Sequence, residues 1–436
     1  ATAALASLRW RLPRFGRAGG SVRVVVATSP GPLPLALPAA PGPAAERRAA
    51  ARNRALVAAA GLATWLPSYR LERPGHAPGL PVLVPCRTVR RPARSADLGM
   101  LTVVTIDPAR GLAPVDTDTV ASGGDLIYAS PSSLYVATLR WTGPAASGSG
   151  VSSTEIHRFD VTRPHATVYR GSGSVPGVLL NQWAMSEHAG VLRVASTLEP
   201  TWMEPPDGRE SENLVTTLRP QGDRLVRVGQ IGGLGRGERV QGVRFAGATG
   251  YVVTFRQTDP LHVLDLSDPA RPAVRGELHV PGYSAYLHPV GEGLLLGVGQ
   301  DAAPDGRLLG TQISLFDVAD PARPARLGNL AVPGAWSEVE GDHHAFLHWP
   351  PSGLVVVPMQ TGDPAAGAPR AGALGVRVDR SGVSHVGTIA HPPRHGVPPP
   401  IRRSLVVGTT LYTLSEGGVK ASDLESLADR AWIPLP

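Results

Sequence analysis

The chain has 436 residues, among them 51 Gly and 44 Pro, which break long helices and punctuate turns between short strands; an all-β chain is expected and a helical bundle is excluded. Lys and Arg number 42 against 35 Asp and Glu, a net charge of +7, but the arginines are scattered and no recognition helix or stacking pattern accompanies them, so nucleic-acid binding is not expected. Cys86 is the single cysteine, which excludes an intrachain disulfide and a CxxC metal site, and no apolar run approaches the roughly 18 residues that span a bilayer.

In chain order, the opening ATAALASLRWRLPRFGRAGG has no apolar core followed by a cleavage site, so a removed leader or a further N-terminal piece is expected. Ser21-Val22-Arg23-Val24-Val25-Val26 reads as a strand that ends an incomplete first repeat. From Ser29, SPGPLPLALPAAPGPA is a Pro/Ala loop biased to extended conformations. AAERRAAARNRALVAAAGLATWLPSYRL follows as an inserted helix that ends at Gly61 or shortly after, before Pro67, and is expected to pack outside the strands or over one face of them. Cys86, in Leu83-Val84-Pro85-Cys86, carries no nucleophile signature and is expected to be buried.

The organising feature is a repeat. LHVLDLSDPARPAVRGELHVPG from Leu261 and ISLFDVADPARPARLGNLAVPG from Ile313 are one unit, with Asp268 and Asp320 about 52 residues apart. His262-Val263-Leu264-Asp265-Leu266 alternates as a half-buried strand, Ser267-Asp268-Pro269 turns the chain, Pro272 keeps that turn out of helix, and a second strand ends at Pro281-Gly282. Weaker copies start near Leu101, Glu155, Leu214 and Gly375, and each ends in a strand pair such as Leu192-Arg193-Val194-Ala195 or Leu411-Tyr412-Thr413-Leu414. The last strand, Gly418-Val419-Lys420-Ala421, opens a unit that the C-terminus is expected to leave unfinished, to be completed by an N-terminal strand. These observations predict an all-β β-propeller of about seven four-stranded blades. Residues 1–30 form a partial first blade, 31–100 the loop and helix insertion, and 101–436 the remaining blades of a single domain.

The stretch from Val228 to Gly299, with VLLNQWAMSEHAGVLRVAST and WSEVEGDHHAFLHW, resembles secreted bacterial and archaeal proteins with a C-terminal β-propeller distantly related to WD40 repeats. The likeness covers most of the chain from about Trp65. It implies an exported or cell-surface propeller and carries no catalytic residues to transfer; because such proteins have a leader and further strands before the region of Ser21, it also implies eight blades in an intact protein.

The candidate site residues are expected to precede the third strand of each blade, where repetition places them around one rim or along the channel. They are Trp183, Glu187 and His188; Glu238, Arg239 and Arg244; Tyr283, Tyr286 and His288; and Glu338, Asp342 and His343. The densest run, Trp336 to Trp349, has carboxylates and imidazoles that ordinarily ligate transition metals. Strand alternation sends His343 and His344 to opposite faces, so neither a metal nor a cofactor is expected. Gly232–Gly237 lacks the Lys-Ser/Thr of a phosphate loop, and the Asp301–Gly306 segment is expected to be a surface hairpin. A binding or interaction scaffold engaging a protein or glycan, with cell-envelope association through a missing leader, is the expected function. The alternative is a hydrolase or lyase acting on a polymer, which needs two of Glu187, Glu238 and Glu338 within about 5–10 Å of each other.

Overall fold

A computed structural model describes residues 20–69, 81–94, 99–111, 113–124, 126–142, 151–198, 210–255, 258–362, 370–394 and 396–435. They fall into two compact units, 20–182 with 218–227, and 183–198, 210–217 and 228–435. The fold is an all-β propeller, and the described strands group into seven blades. Blade 1 consists of Val22–Thr28, Met100–Ile106 and Pro114–Val120, with Val89–Arg90 added in parallel. Blade 2 is Leu126–Ala129, Ser133–Thr142, Val151–Asp160 and Val168–Pro176. Blade 3 is Met185–His188, Val191–Leu198, Glu212–Gln221 and Arg224–Leu234. Blade 4 is Arg239–Ala246, Thr249–Phe255, Thr258–Asp265 and Ala273–Pro281. Blade 5 is Tyr283–Gly291, Leu294–Ala302, Leu308–Asp317 and Ala325–Pro333. Blade 6 has Leu354–Thr361, Arg370–Asp379 and Gly382–Ile389 behind a broken first strand, and blade 7 is Ile401–Val407, Thr410–Ser415, Gly418–Asp423 and Asp429–Pro434.

The sequence repeat and the blade have one period but different phases. A repeat that starts at Leu261 takes the third and fourth strands of blade 4 and then the first and second of blade 5. Gly418–Asp423 therefore completes the last blade with Asp429–Pro434, and the expectation of an unfinished C-terminal unit is corrected. Val22–Thr28 pairs with Met100–Ile106 and is the second strand of blade 1.

Blades pack face to face, so most central strands are buried on both sides. Leu295 packs toward blade 4 with Tyr251, Val253 and Phe316, while Leu294, Leu296 and Val298 pack toward blade 6 with Val355, Val357 and Val376. The same sandwiching overturns the half-buried reading of His262–Leu266, whose His262 is only 4% exposed. It also explains why these strands are apolar runs rather than strict alternations.

In six of the seven blades the turn between the third and fourth strands is tied by an aspartate at the end of the third; in blade 3 the turn is Gln221-Gly222-Asp223 instead. Asp265 accepts from the Ser267 amide and hydroxyl, at 2.9 and 2.6 Å, and from the Arg275 guanidinium. A bulge in the fourth strand turns Arg275 back toward the turn, and Arg170 and Arg430 reach Asp160 and Asp423 from equivalent bulges. The Ser267 and Arg275 hydrogen bonds lower the Asp265 carboxyl to about 2. Its folded value lies below its unfolded one, so its contribution is complete above about pH 4 and is lost as pH falls toward 2. Asp265→Ala is expected to cost about 1 kcal/mol at pH 7, the loss of an Asx-type cap. In thermal melts the gap from the native protein should close between pH 4 and pH 2; a gap that persists at pH 2 would assign the loss to packing.

The inserted helix spans Pro43–Ala59 and is followed by the short Leu62–Trp65 helix. Asn53 fixes the Pro/Ala loop beneath it, accepting from the Ala36 amide at 2.7 Å and donating to the Ala36 carbonyl at 2.9 Å. Cys86 is exposed rather than buried: it opens a 3-10 turn over Cys86–Thr88, and its neighbour Val84 takes the interior position. Asp301–Gly306 lies in the hairpin between the second and third strands of blade 5, as expected.

Candidate functional site

The candidate residues lie in or next to the first strands of blades 3 to 6, all in the larger unit. Close approach there is enforced by glycine: a Cβ on Gly242, in the first strand of blade 4, would lie 2.2 Å from the Ser284 carbonyl oxygen of blade 5. In blade 6 the first strand breaks into Ala335–Trp336, 3-10 turns at Glu338–Glu340 and His343–Ala345, and Leu347–Trp349. Local capping explains the break. Ser337 Oγ accepts from the Val339 amide and donates to the Pro358 carbonyl, Glu340 Oε1 accepts from the Ser337 amide, and Asp342 Oδ1 accepts from the His344 amide. Side chains that bind the backbone this way compete with strand pairing.

That turn corrects the expected separation of His343 and His344. Because strand alternation does not apply inside a 3-10 turn, their ring centroids are 3.9 Å apart. His343 also meets the Trp183 ring edge-on at 5.0 Å and stacks with Tyr286 at 6.4 Å. The Arg244 guanidinium lies 4.3 Å from the Trp183 ring centroid, a cation–π contact that joins blade 4 to the segment entering blade 3. Tyr286 Oη and His288 Nδ1 share a 3.0 Å hydrogen bond, and Phe346 and His348 pack on His288 at 4.9 and 5.4 Å. Burial, with the nearby Arg244 and His348, pushes His288 down to about 4, so its imidazole is neutral at physiological pH. Burial raises the Tyr286 phenol.

Beside this cluster opens a cleft of about 350 Å³ lined by Trp336, Ser337, Glu338, Glu340, Gly341 and Asp342. Its carboxylates are held from blades 5 and 7. Arg402 pairs with Glu338, Arg403 Nη2 donates to Asp342 Oδ2 at 2.6 Å, and Gln300 Nε2 donates to Glu340 Oε1 at 2.5 Å. Burial raises the Glu340 carboxyl, against the hydrogen bonds from Gln300 and Ser337. Asp342 is lowered: burial opposes ionisation there, but donors from His344 and Arg403 outweigh it.

Of the sequence candidates, Trp183, Arg244, Tyr286, His288 and His343 form the aromatic cluster, and Glu338 and Asp342 line the cleft. The other candidates have these surroundings. Glu238 accepts from Thr254 Oγ1 at 2.5 Å and ties strand to strand. Arg239 is exposed opposite Phe255, and Tyr283 packs against Phe255 at 4.9 Å. Glu187 pairs across from Leu192 and His188 is exposed at the following turn. Glu238 and Glu338 are committed to different partners, Thr254 and Arg402. Sequence reasoning missed Arg402, Arg403 and Gln300; aligning Ile401-Arg402-Arg403-Ser404 with the first strands of earlier blades was the available signal for the arginines.

A family model described as Beta propeller domain matches residues 16–427. The chain is 39% identical over 211 residues to an uncharacterized protein of Archaeoglobus fulgidus, covering 47% of this chain and 31% of that protein. It is likewise 39% identical over 198 residues to an uncharacterized protein of Methanocaldococcus jannaschii, covering 45% and 28%. The match spans about a third of the length of these relatives. Among solved structures, Chaetomium thermophilum Sqt1 bound to the N-terminus of the ribosomal protein L10 aligns with a TM-score of 0.42 and 13% identity over 78% of this chain and 82% of that one.

Proposed function

We propose, from the premise that this chain belongs to the Beta propeller domain family, that it is an interaction scaffold whose cleft at Trp336 receives a segment of a protein partner. The observation that carries this reading is the composition of the cleft and its border. Trp336, 47% exposed, lines the cleft, and Arg402 and Arg403, whose side chains are 43% and 41% exposed, hold its carboxylates Glu338 and Asp342. Trp and Arg are the residues that dominate binding energy at protein interfaces. Both arginines are already held by carboxylates, so little rotamer freedom is lost when a partner docks. A polymer-cleaving activity has no equivalent support, because Glu238 and Glu338 each serve a different partner. We also place the scaffold outside the cytoplasm, which rests on the resemblance to exported propellers; fractionation of the source cells tests it.

Trp336→Ala provides the test. Its half-exposed ring is expected to leave the melting temperature nearly unchanged, within about 0.5 kcal/mol of stability. Peptides selected on the native protein by display should lose about tenfold or more in affinity for the variant, equivalent to about 1.4 kcal/mol. Peptides that bind both proteins equally would move the interface elsewhere. Oligosaccharides that raise the melting temperature, with no peptide selected, would replace the protein partner by a glycan.

A further inference from the structure

We infer that Asp342, His343 and His344 form a binding site for a divalent transition-metal ion at the wall of the cleft. One ligand atom from each lies within 4.8 Å of the other two. Tetrahedral ligands at metal bonds of 2.0–2.1 Å stand roughly 3.3 Å apart, and His344 Nδ1 and Asp342 Oδ1 are already at 2.9 Å. A hydrogen bond now joins those two atoms; an ion would take the place of the shared proton, which leaves to solvent. Small changes of side-chain torsion bring in His343.

Two features around the ligands favour the site. Arg403 Nη2 holds Asp342 Oδ2 at 2.6 Å, and the Asp342 Oδ1 bond to the His344 amide fixes the carboxylate a second time, so its orientation does not depend on the metal. The His343 ring is wedged between the Trp183 edge and the Tyr286 ring. Two imidazoles with one carboxylate select zinc, cobalt, nickel or copper over calcium and magnesium, which require oxygen ligands. With three protein ligands, one coordination position of a tetrahedral ion is left for water or a ligand atom. Because Asp342 also lines the cleft, the ion would sit beside whatever the cleft receives.

The experiment uses the full chain without an affinity tag, stripped with chelator and titrated with zinc in a calorimeter and with cobalt in a spectrophotometer. The expected result is one ion bound per chain, a rise in melting temperature with zinc, and visible cobalt bands of a low-coordinate site. His344 is exposed, so His344→Ala should fold; it should weaken zinc more than about tenfold and abolish the cobalt bands. Asp342→Asn keeps an oxygen to cap the turn and should weaken zinc while circular dichroism is unchanged. His279→Ala, which removes a histidine of blade 4, should leave binding intact. Absence of a saturable event in the native protein, or unchanged affinity and stoichiometry in His344→Ala, overturns the site. The peptide-binding result for Trp336→Ala is independent of either outcome.

Discussion

Gly276→Ala should lower the melting temperature by several degrees, while Gly362→Ala should leave it unchanged. A Cβ at Gly276 would stand 2.3 Å from the Pro321 carbonyl oxygen and 2.8 Å from Pro324 Cδ. These atoms belong to the turn between the third and fourth strands of blade 5, so the methyl group meets backbone that cannot rotate away. At Gly229 the nearest atom is the Pro269 carbonyl oxygen of blade 4, at 2.4 Å, and at Gly171 it is the Asp223 carbonyl oxygen, at 1.9 Å. The glycines occupy fourth strands; Gly229 and Gly276 each receive the Asp-tied turn of the next blade, and Gly171 receives the Gln221-Gly222-Asp223 turn of blade 3. The turn therefore has two jobs: its own aspartate shapes it, and the neighbouring glycine lets it dock. Overpacking costs about 1–3 kcal/mol, and the upper end is expected where the obstruction is backbone. Among the described residues nothing lies within 4 Å of a Cβ on Gly362, which has no positive φ, so it controls for the generic effect of the substitution. Equal melting temperatures for both variants would mean that blades part at small cost and that the turns do not set their spacing.

The same turns explain how far the sequence could be read. Asp-Pro-Ala-Arg recurs at Asp268 and Asp320 because the Asx turn needs the carboxylate and the docking surface needs a fixed backbone, so the period is plain in the residues. Phase is not, since a turn within a blade and a link between blades both read as strand, break, strand. Pro281-Gly282 and Pro333-Gly334 are links, with the glycines at φ of +80° and +66°, whereas Gly247 and Gly293 lie in tight turns at +54° and +68°. Local conformation alone does not separate the two classes. At the site, Trp183, Arg244, Tyr286 and His288 were legible by position, because a rigid repeat puts equivalent residues near each other. His343 was misplaced because the caps at Ser337 and Asp342 override the pleat. Arg402 and Arg403 were passed over although they fall in the first strand of blade 7, and their role depends on carboxylates more than 60 positions away.

Lowering the pH from 6.5 toward 4 should destabilise the protein, because His157 and His391, like His288, are held neutral in the fold. His157 is fully buried; its ring shares hydrogen bonds with Ser122 Oγ at 2.9 Å and Tyr169 Oη at 3.3 Å. His391 lies between Ser415 Oγ at 2.7 Å and Thr413 Oγ1 at 2.8 Å, with the Trp432 ring against it and the Lys420 ammonium nearby. Burial lowers both to about 4, and Lys420 adds to the effect at His391. Above pH 6.5 the folded and unfolded chains are both neutral at these positions, so no pH dependence arises. Below it the unfolded chain takes up protons that the folded chain refuses, and the loss grows until the folded chain also protonates near pH 4. At about 1.4 kcal/mol per unit, His157 alone accounts for up to roughly 3 kcal/mol across that window. Urea unfolding midpoints at pH 7.5, 6, 5 and 4.5 measure it. His157→Gln removes one titrating group and should flatten the slope while lowering stability at pH 7.5 through imperfect packing. A native midpoint that stays level down to pH 4.5 would mean that both rings accept a proton without unfolding, for which Ser122 and Ser415 would have to act as acceptors to the charged imidazoles.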